Sequence, residues 1–152
     1  MEKNLLELDE SCDIFTVFGT VNHFKKEELS QLFQKIFDSL SDGGVLAFDF
    51  KSPESEKHQD GYVNYWSTET DEFEVDDFVM TVYKDGQAYY SFSFCFTEKE
   101  TGKDFYNGEL MEIGLYTKEE ITDMLVKAGF SEKGIEFRDE GAQRGNFVAK
   151  KK

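Results

Sequence analysis

The segment FGTVNHF, residues 18–24, follows directly on an apolar run and contains the residue types that a small-molecule site uses. Gly19 would let a ligand approach the backbone closely, and Thr20 or Asn22 could hydrogen-bond it. The imidazole of His23 can accept a proton at neutral pH, which makes it the best candidate for a general base or for a polar group that orients a nucleophile. This segment is therefore the first candidate for a reactive site.

A second reading of His23 remains open, in which it begins the following helix, packs beside Phe24 and does no chemistry. Asp49 lies near the end of a second apolar run, VLAFDF at 45–50, and also has two readings. Ligands bind beyond the carboxyl ends of parallel strands, so Asp49 could face a ligand. It could instead cap the loop that follows.

Two further groups of side chains could contact a ligand. Tyr62, Tyr65 and Trp66 could form a substrate wall, because aromatic rings combine apolar area with a polar tip, or they could pack against neighbouring strands. Arg144 could pair with a substrate phosphate or with the acidic residues just before it.

The elements that must position these residues begin with a strand, a helix and a second strand. Residues 13–18 and 45–50 are apolar runs typical of buried parallel strands. Between them, residues 26–40 have apolar side chains at helical spacing, and Asp42-Gly43-Gly44 predicts a turn that ends the helix. This pattern predicts one βαβ unit over 12–50 with a right-handed crossover.

The next part of the chain predicts an antiparallel insertion over 62–116. Residues 78–83 and 88–97 read as the arms of a hairpin with an Asp-Gly turn, and a third strand follows at 105–115. Alternation in the second arm places four aromatic residues on one face, Tyr90, Phe92, Phe94 and Phe96. They form either a sheet core or the apolar wall of a pocket.

The last segment, 117–152, predicts a helix and a terminal hairpin, which complete a single partial domain. Thr117 and Glu120 have the spacing of a capping box, and Gly129 ends the helix. Two short strands are predicted at 135–138 and 147–149.

Composition limits the possible functions. A chain of 152 residues with 39% hydrophobic residues is typical of a globular domain. Its net charge of −15 argues against nucleic acid or an anionic membrane as partner. The acidic N-terminus and the lack of a long apolar run predict a cytoplasmic location. Cys12 and Cys95 belong to no Cys/His cluster, so no metal site is predicted.

This order of elements resembles the second half of class I S-adenosylmethionine-dependent methyltransferases. More narrowly, FGTVNHF, SPESEKHQDGYV and EGAQRGNFVAK resemble small-molecule N-methyltransferases, especially those that dimethylate the amine of deoxyamino sugars. The resemblance implies an α/β fold, the C-terminal half of a Rossmann-like methyltransferase sheet with an antiparallel β insertion.

The resemblance also implies roles for the candidate residues. It implies S-adenosylmethionine as cofactor beside Phe18, Gly19 and Thr20, with His23 near the reacting amine. The implied substrate contacts are Asn22, Asp49, Tyr62, Tyr65, Trp66 and Arg144. The implied reaction is direct in-line methyl transfer to a small-molecule acceptor, with an amine as one candidate and without a metal.

One departure from the resemblance stands out. Such enzymes begin with a strand and a glycine-rich loop that holds the cofactor, and no counterpart precedes residue 12 here. We expect a truncated gene product, an isolated fragment or one half of a split protein. The strand at 13–18 would then be an exposed edge, which predicts a homodimer or a complex with a separate N-terminal half.

Three functions remain open from the sequence. The first is a methyltransferase, or its C-terminal half, although activity of this chain alone is doubtful. The second is a non-catalytic binding or interaction module that has lost the cofactor loop. A third is a ligand carrier that uses the aromatic strands.

Overall fold

The structure is a computed structural model, which describes residues 11–57, 59–85, 87–139 and 145–152. The chain divides into two compact units, Met1–Ser55 with Gly114–Lys152, and Glu56–Ile113. The elements are β1 (Cys12–Val17), α1 (Lys26–Ser39), β2 (Leu40–Phe50), α2 (Pro53–Lys57), β3 (Val63–Glu69), β4 (Phe73–Lys84), β5 (Gln87–Glu98), β6 (Lys103–Ile113), α3 (Lys118–Lys127), β7 (Ile135–Asp139) and β8 (Gly145–Lys150).

The first unit contains a mixed sheet with the strand order β1-β2-β8-β7. β1 and β2 are parallel neighbours joined through α1, as predicted, whereas β8 is antiparallel to both β2 and β7. The core contains the apolar face of α1, and the rings of Phe33 and Phe48 lie 5.1 Å apart. This arrangement brings the carboxyl ends of β1 and β2 to the same edge of the sheet.

The predicted turn at residues 42–44 is wrong. α1 ends at Ser39 and β2 starts at once with Leu40, so these residues lie inside the strand. The pairing with β1 jumps from Cys12 opposite Leu40 to Ile14 opposite Val45, and this irregularity accommodates the additional residues.

The segment after Pro53 also differs from the prediction. Before the predicted insertion, α2 forms one short helix that was not predicted, with Pro53 at its first position, where a missing backbone N–H costs nothing. The stretch that contains Tyr65 and Trp66 is itself a strand, β3, which the sequence analysis did not assign.

The second unit contains an antiparallel sheet with the order β3-β4-β5-β6. The predicted hairpin is confirmed as β4 and β5, although Gly86 of its turn lies outside the described residues. We call the face that carries Tyr90, Phe92, Phe94 and Phe96 the aromatic face. Along it, the ring centroids of Phe92 and Phe94 are 6.4 Å apart.

The predicted capping box of α3 is confirmed. Thr117 Oγ1 accepts a hydrogen bond from the Glu120 N–H at 3.2 Å, and a Glu120 carboxylate oxygen accepts one from the Thr117 N–H at 3.0 Å. The box fixes the first turn of the helix, whose apolar side packs in the same core as α1.

Candidate functional site

The loop after β1 contains a glycine whose backbone N–H is hydrogen-bonded to a buried carboxylate. Gly19 has a φ of +65°, a conformation that other residues adopt at a cost. Its N–H donates to Asp49 Oδ1 at 2.6 Å, and Asp49 is buried near the end of β2. The bond joins the carboxyl ends of the two parallel strands. Asp49 therefore anchors the loop after β1, whereas the sequence reading had it cap the loop after its own strand. Its contact with a substrate stays a prediction.

Asn22 fixes the middle of the same loop. Its side-chain amide donates to the carbonyl of Lys51 at 3.0 Å and to that of Gly114 at 2.6 Å. Its oxygen accepts from the Lys51 N–H at 2.8 Å. Because both amide hydrogens are engaged with the backbone, Asn22 positions the loop, and its predicted substrate contact is untested.

The segment after β6 is hydrogen-bonded to this loop. The Gly114 N–H donates to the Asn22 carbonyl at 2.7 Å, and the Tyr116 hydroxyl donates to the Phe24 carbonyl. A Cβ on Gly114 would come within 2.9 Å of the Phe24 carbonyl oxygen, so the close approach needs glycine. Burial, together with nearby glutamates, raises the pKa of Tyr116 to about 12. Sequence reasoning missed Tyr116, because nothing in its local pattern signals a contact with residue 24.

The side chains that could react are on the outside of this framework. His23 ends a 3₁₀ helix, Val21–His23, and is exposed, while its backbone N–H donates to the Thr20 carbonyl at 3.0 Å. Thr20 Oγ1 donates to the Phe18 carbonyl at 3.0 Å, and the Phe18 side chain is 60% exposed. The backbone of the loop is thus held firmly, and the exposed position of His23 leaves its imidazole accessible to a ligand.

A cavity of about 450 Å³ lies at this edge of the first sheet. Its lining residues are Phe18, Ala47, Phe48, Asp49, Arg138, Asn146, Phe147 and Val148. It brings together Phe18 and Asp49, which the sequence predicted separately. Arg138 and Asn146 were not predicted, because only the strand register of the structure brings them here. Arg138 pairs with Asn146, which pairs with Asp49. The site therefore contains a carboxylate, a guanidinium and an exposed phenyl ring.

The three predicted wall residues lie on the second unit. Tyr62, Tyr65 and Trp66 are about half exposed, at 55%, 54% and 46%. The hydroxyl of Tyr65 donates to Asp76 at 2.8 Å, and this hydrogen bond raises the pKa of Tyr65. Their role as a substrate wall stays a prediction. Arg144 lies outside the described residues.

A buried acid on the second unit was also missed. Glu56 is fully buried in α2 and accepts a hydrogen bond from the Tyr90 hydroxyl at 3.0 Å. Glu56 lies in the segment SPESEKHQDGYV, and no role was predicted for it from the sequence. The bond joins α2 to one end of the aromatic face.

The described residues contain candidate contacts for a cofactor. Phe18 and the cavity beside it could contact the reactive end of S-adenosylmethionine, but no glycine-rich loop joins a strand to a helix in the described ranges. Within those ranges no cluster of three or more metal-ligating side chains occurs. The search of the same residues also finds no helix with the length and hydropathy to span a bilayer.

No family model matches the sequence, and no curated protein matches it. Solved structures do match over almost the whole chain. An S-adenosylmethionine-bound amino pentose methyltransferase, CalS10 from Micromonospora echinaspora, is 18% identical with a TM-score of 0.78, covering 99% of this chain and 63% of that one. DesVI from Streptomyces venezuelae is 18% identical with a TM-score of 0.81, covering 99% and 64%. The sugar N-methyltransferase KedS8 from Streptoalloteichus sp. is 17% identical with a TM-score of 0.80, covering 99% and 61%.

The chain thus spans less than two-thirds of the length of each of these structures. Because the identities are low, the matches establish the fold. They confirm the predicted fold class, and the chain has a class I methyltransferase-like fold, with part of a Rossmann-like sheet and an antiparallel β insertion.

Proposed function

We propose that this chain forms the methyl-acceptor side of an S-adenosylmethionine-dependent methyltransferase that acts on a small-molecule amine. The observation that carries the proposal is the loop at residues 18–24, held by Asp49, Asn22 and Tyr116 so that it presents His23 to solvent. The similarity to an amino pentose methyltransferase and to a sugar N-methyltransferase supports an amine as the acceptor.

The residues of this chain would position and deprotonate the acceptor. The bound cofactor supplies an electrophilic methyl group. His23 would take the proton that the amine loses, and the fixed loop would hold the nitrogen in line with the methyl group. Since an amine needs little activation once it is positioned and deprotonated, we expect His23→Ala to reduce the rate of methyl transfer less than a disruption of the loop does.

The first test is a calorimetric titration of the purified chain with S-adenosylhomocysteine. Saturable binding at micromolar concentration would support a cofactor site built around Phe18 and Gly19 and would justify an assay of methyl transfer to amino sugars. An affinity weaker than about 1 mM, which is about 4 kcal/mol, would mean that the described residues need a separate N-terminal half.

The alternative function is a non-catalytic binding module, and the exposed side chains of the second unit favour it. Strand register places Val63, Met80 and Leu110 on one face of the second sheet, where they are 55%, 40% and 68% exposed, and a contiguous exposed apolar patch is typical of an interaction site. A protein that binds neither cofactor nor product, even when mixed with the cofactor-binding half of a similar methyltransferase, would support this alternative.

A further inference from the structure

The aromatic face of the second unit carries the carboxylate of Asp77 near its middle. The strand register places Asp77 of β4 directly between Trp66 of β3 and Phe94 of β5. Because residues two apart on a strand share a face, its neighbours along β4 are Val75 and Val79. The nearest neighbours of Asp77 on β3, β4 and β5 are thus aromatic or aliphatic, while β6 places Asn107 and Glu109 further across the same face.

One carboxylate oxygen of Asp77 has no partner among the described residues. This oxygen, Oδ1, is also inaccessible to solvent. The rest of the side chain keeps partial exposure, so a ligand can approach it. A carboxylate that loses water without gaining a partner raises the free energy of the folded state, and a bound cation would offset that cost.

The surroundings select the kind of cation. Ring faces attract positive charge but accept no conventional hydrogen bonds, so an ammonium group with several N–H donors could direct one of them at Asp77 but would lose the hydration of those that face the rings. An ammonium whose hydrogens are replaced by alkyl groups has no such loss, and its methyl groups pack against Trp66 and Phe94. The net charge of the unit adds attraction, because acidic residues far outnumber lysines between residues 56 and 113 and that range contains no arginine.

The geometry points to a binding site for an alkylated organic ammonium ion on the aromatic face, with Asp77 as its counter-ion and the rings of Trp66 and Phe94 as its walls. This site lies wholly within the second unit and requires no methyl transfer, so it goes beyond the proposed function and stands independently of it.

The test uses the fluorescence of Trp66, which is the only tryptophan in the chain and belongs to the site. The probe is choline, and the control is its uncharged isostere 3,3-dimethylbutan-1-ol, both at constant ionic strength. We expect choline to change the Trp66 emission saturably and the isostere to leave it unchanged. Equal responses to both compounds, or no saturation by choline up to about 50 mM, would overturn the proposal.

Two adjacent aspartates provide matched variants. Asp77→Asn removes the counter-ion, whereas Asp76→Asn removes the same charge from the opposite face, where Asp76 pairs with Cys95. We expect choline to bind about tenfold more weakly to Asp77→Asn and within about twofold of the original affinity to Asp76→Asn. Equal losses in both variants would indicate only a general effect of charge. An unchanged affinity in Asp77→Asn, with circular dichroism showing a folded protein, would exclude Asp77 as the counter-ion.

Discussion

At the scale of single residues, the loop after β1 depends most on Asn22. We expect Asn22→Ala to lower the free energy of unfolding by about 3 kcal/mol, because it removes three hydrogen bonds to half-buried backbone groups of Lys51 and Gly114. Urea denaturation measures the change through the midpoint of unfolding.

The matched control is Gln34→Ala, which removes an exposed amide of the same unit that donates to Asp38 at 3.1 Å. We expect a change within about 0.5 kcal/mol. A loss for Asn22→Ala as small as that for the control would show that the loop is held without its side chain.

Tyr116 predicts a specific loss of stability at high pH. Its pKa is raised from 10.0 to about 12 in the folded chain, so the folded state keeps a proton that the unfolded state releases. The stabilisation is complete below pH 10 and is lost as the pH rises towards 12. Denaturation midpoints of the wild type should therefore fall more steeply across this window than those of Tyr116→Phe, and parallel curves for the two proteins would contradict the prediction.

The sequence predicted where two residues of the candidate site lie in the sheet, but not the contacts that they make. Gly19 follows one apolar run and Asp49 lies near the end of the other. These positions predicted that both residues lie at one edge of the sheet, as the structure has them. The sequence could not show that the Gly19 N–H donates to Asp49, because this hydrogen bond depends on the register between β1 and β2. Arg138 was missed for the same reason, since only pairing through β8 brings it to the cavity.

At the scale of elements, the capping box of α3 offers a local test. Thr117→Ala removes the acceptor for the Glu120 N–H and should cost about 1 kcal/mol in thermal or urea denaturation. Thr122→Ala is the matched change, because the Thr122 hydroxyl bonds only the Lys118 carbonyl inside the helix. That variant should be neutral or slightly more stable, since alanine is the better helix former. Equal effects of both substitutions would rule out a capping role.

Elements with strong local signals were predicted well, and those defined by tertiary pairing were not. The spacing in α1 and the capping residues of α3 identify both helices without further information. β3 was not predicted because its sequence, VNYWSTE, lacks a sustained apolar–polar alternation. Every residue in it is exposed. It forms a strand because β4 offers it hydrogen bonds, and residue types alone do not reveal this.

At the scale of the whole molecule, β1 is an edge of the described sheet with Ile14 68% exposed. We predict that the chain is dimeric at micromolar concentration in light scattering, because an unpaired apolar edge favours pairing with another chain. Ile14→Lys should shift it to the monomer with little change in stability. Val126→Lys, an exposed position on α3 away from the edge, should leave the dimer intact. A monomeric wild type would contradict the prediction.

The pairing of β2 with β8 also has a consequence for synthesis on the ribosome. All pairs in the second unit join strands that are consecutive in sequence, so that sheet can assemble as soon as residue 113 has left the exit tunnel. The first sheet cannot, because β2 must wait for β8, which follows the whole insertion in the sequence. The nascent chain therefore exposes one side of β2 throughout translation of the insertion, and this is the interval in which chaperones would matter most.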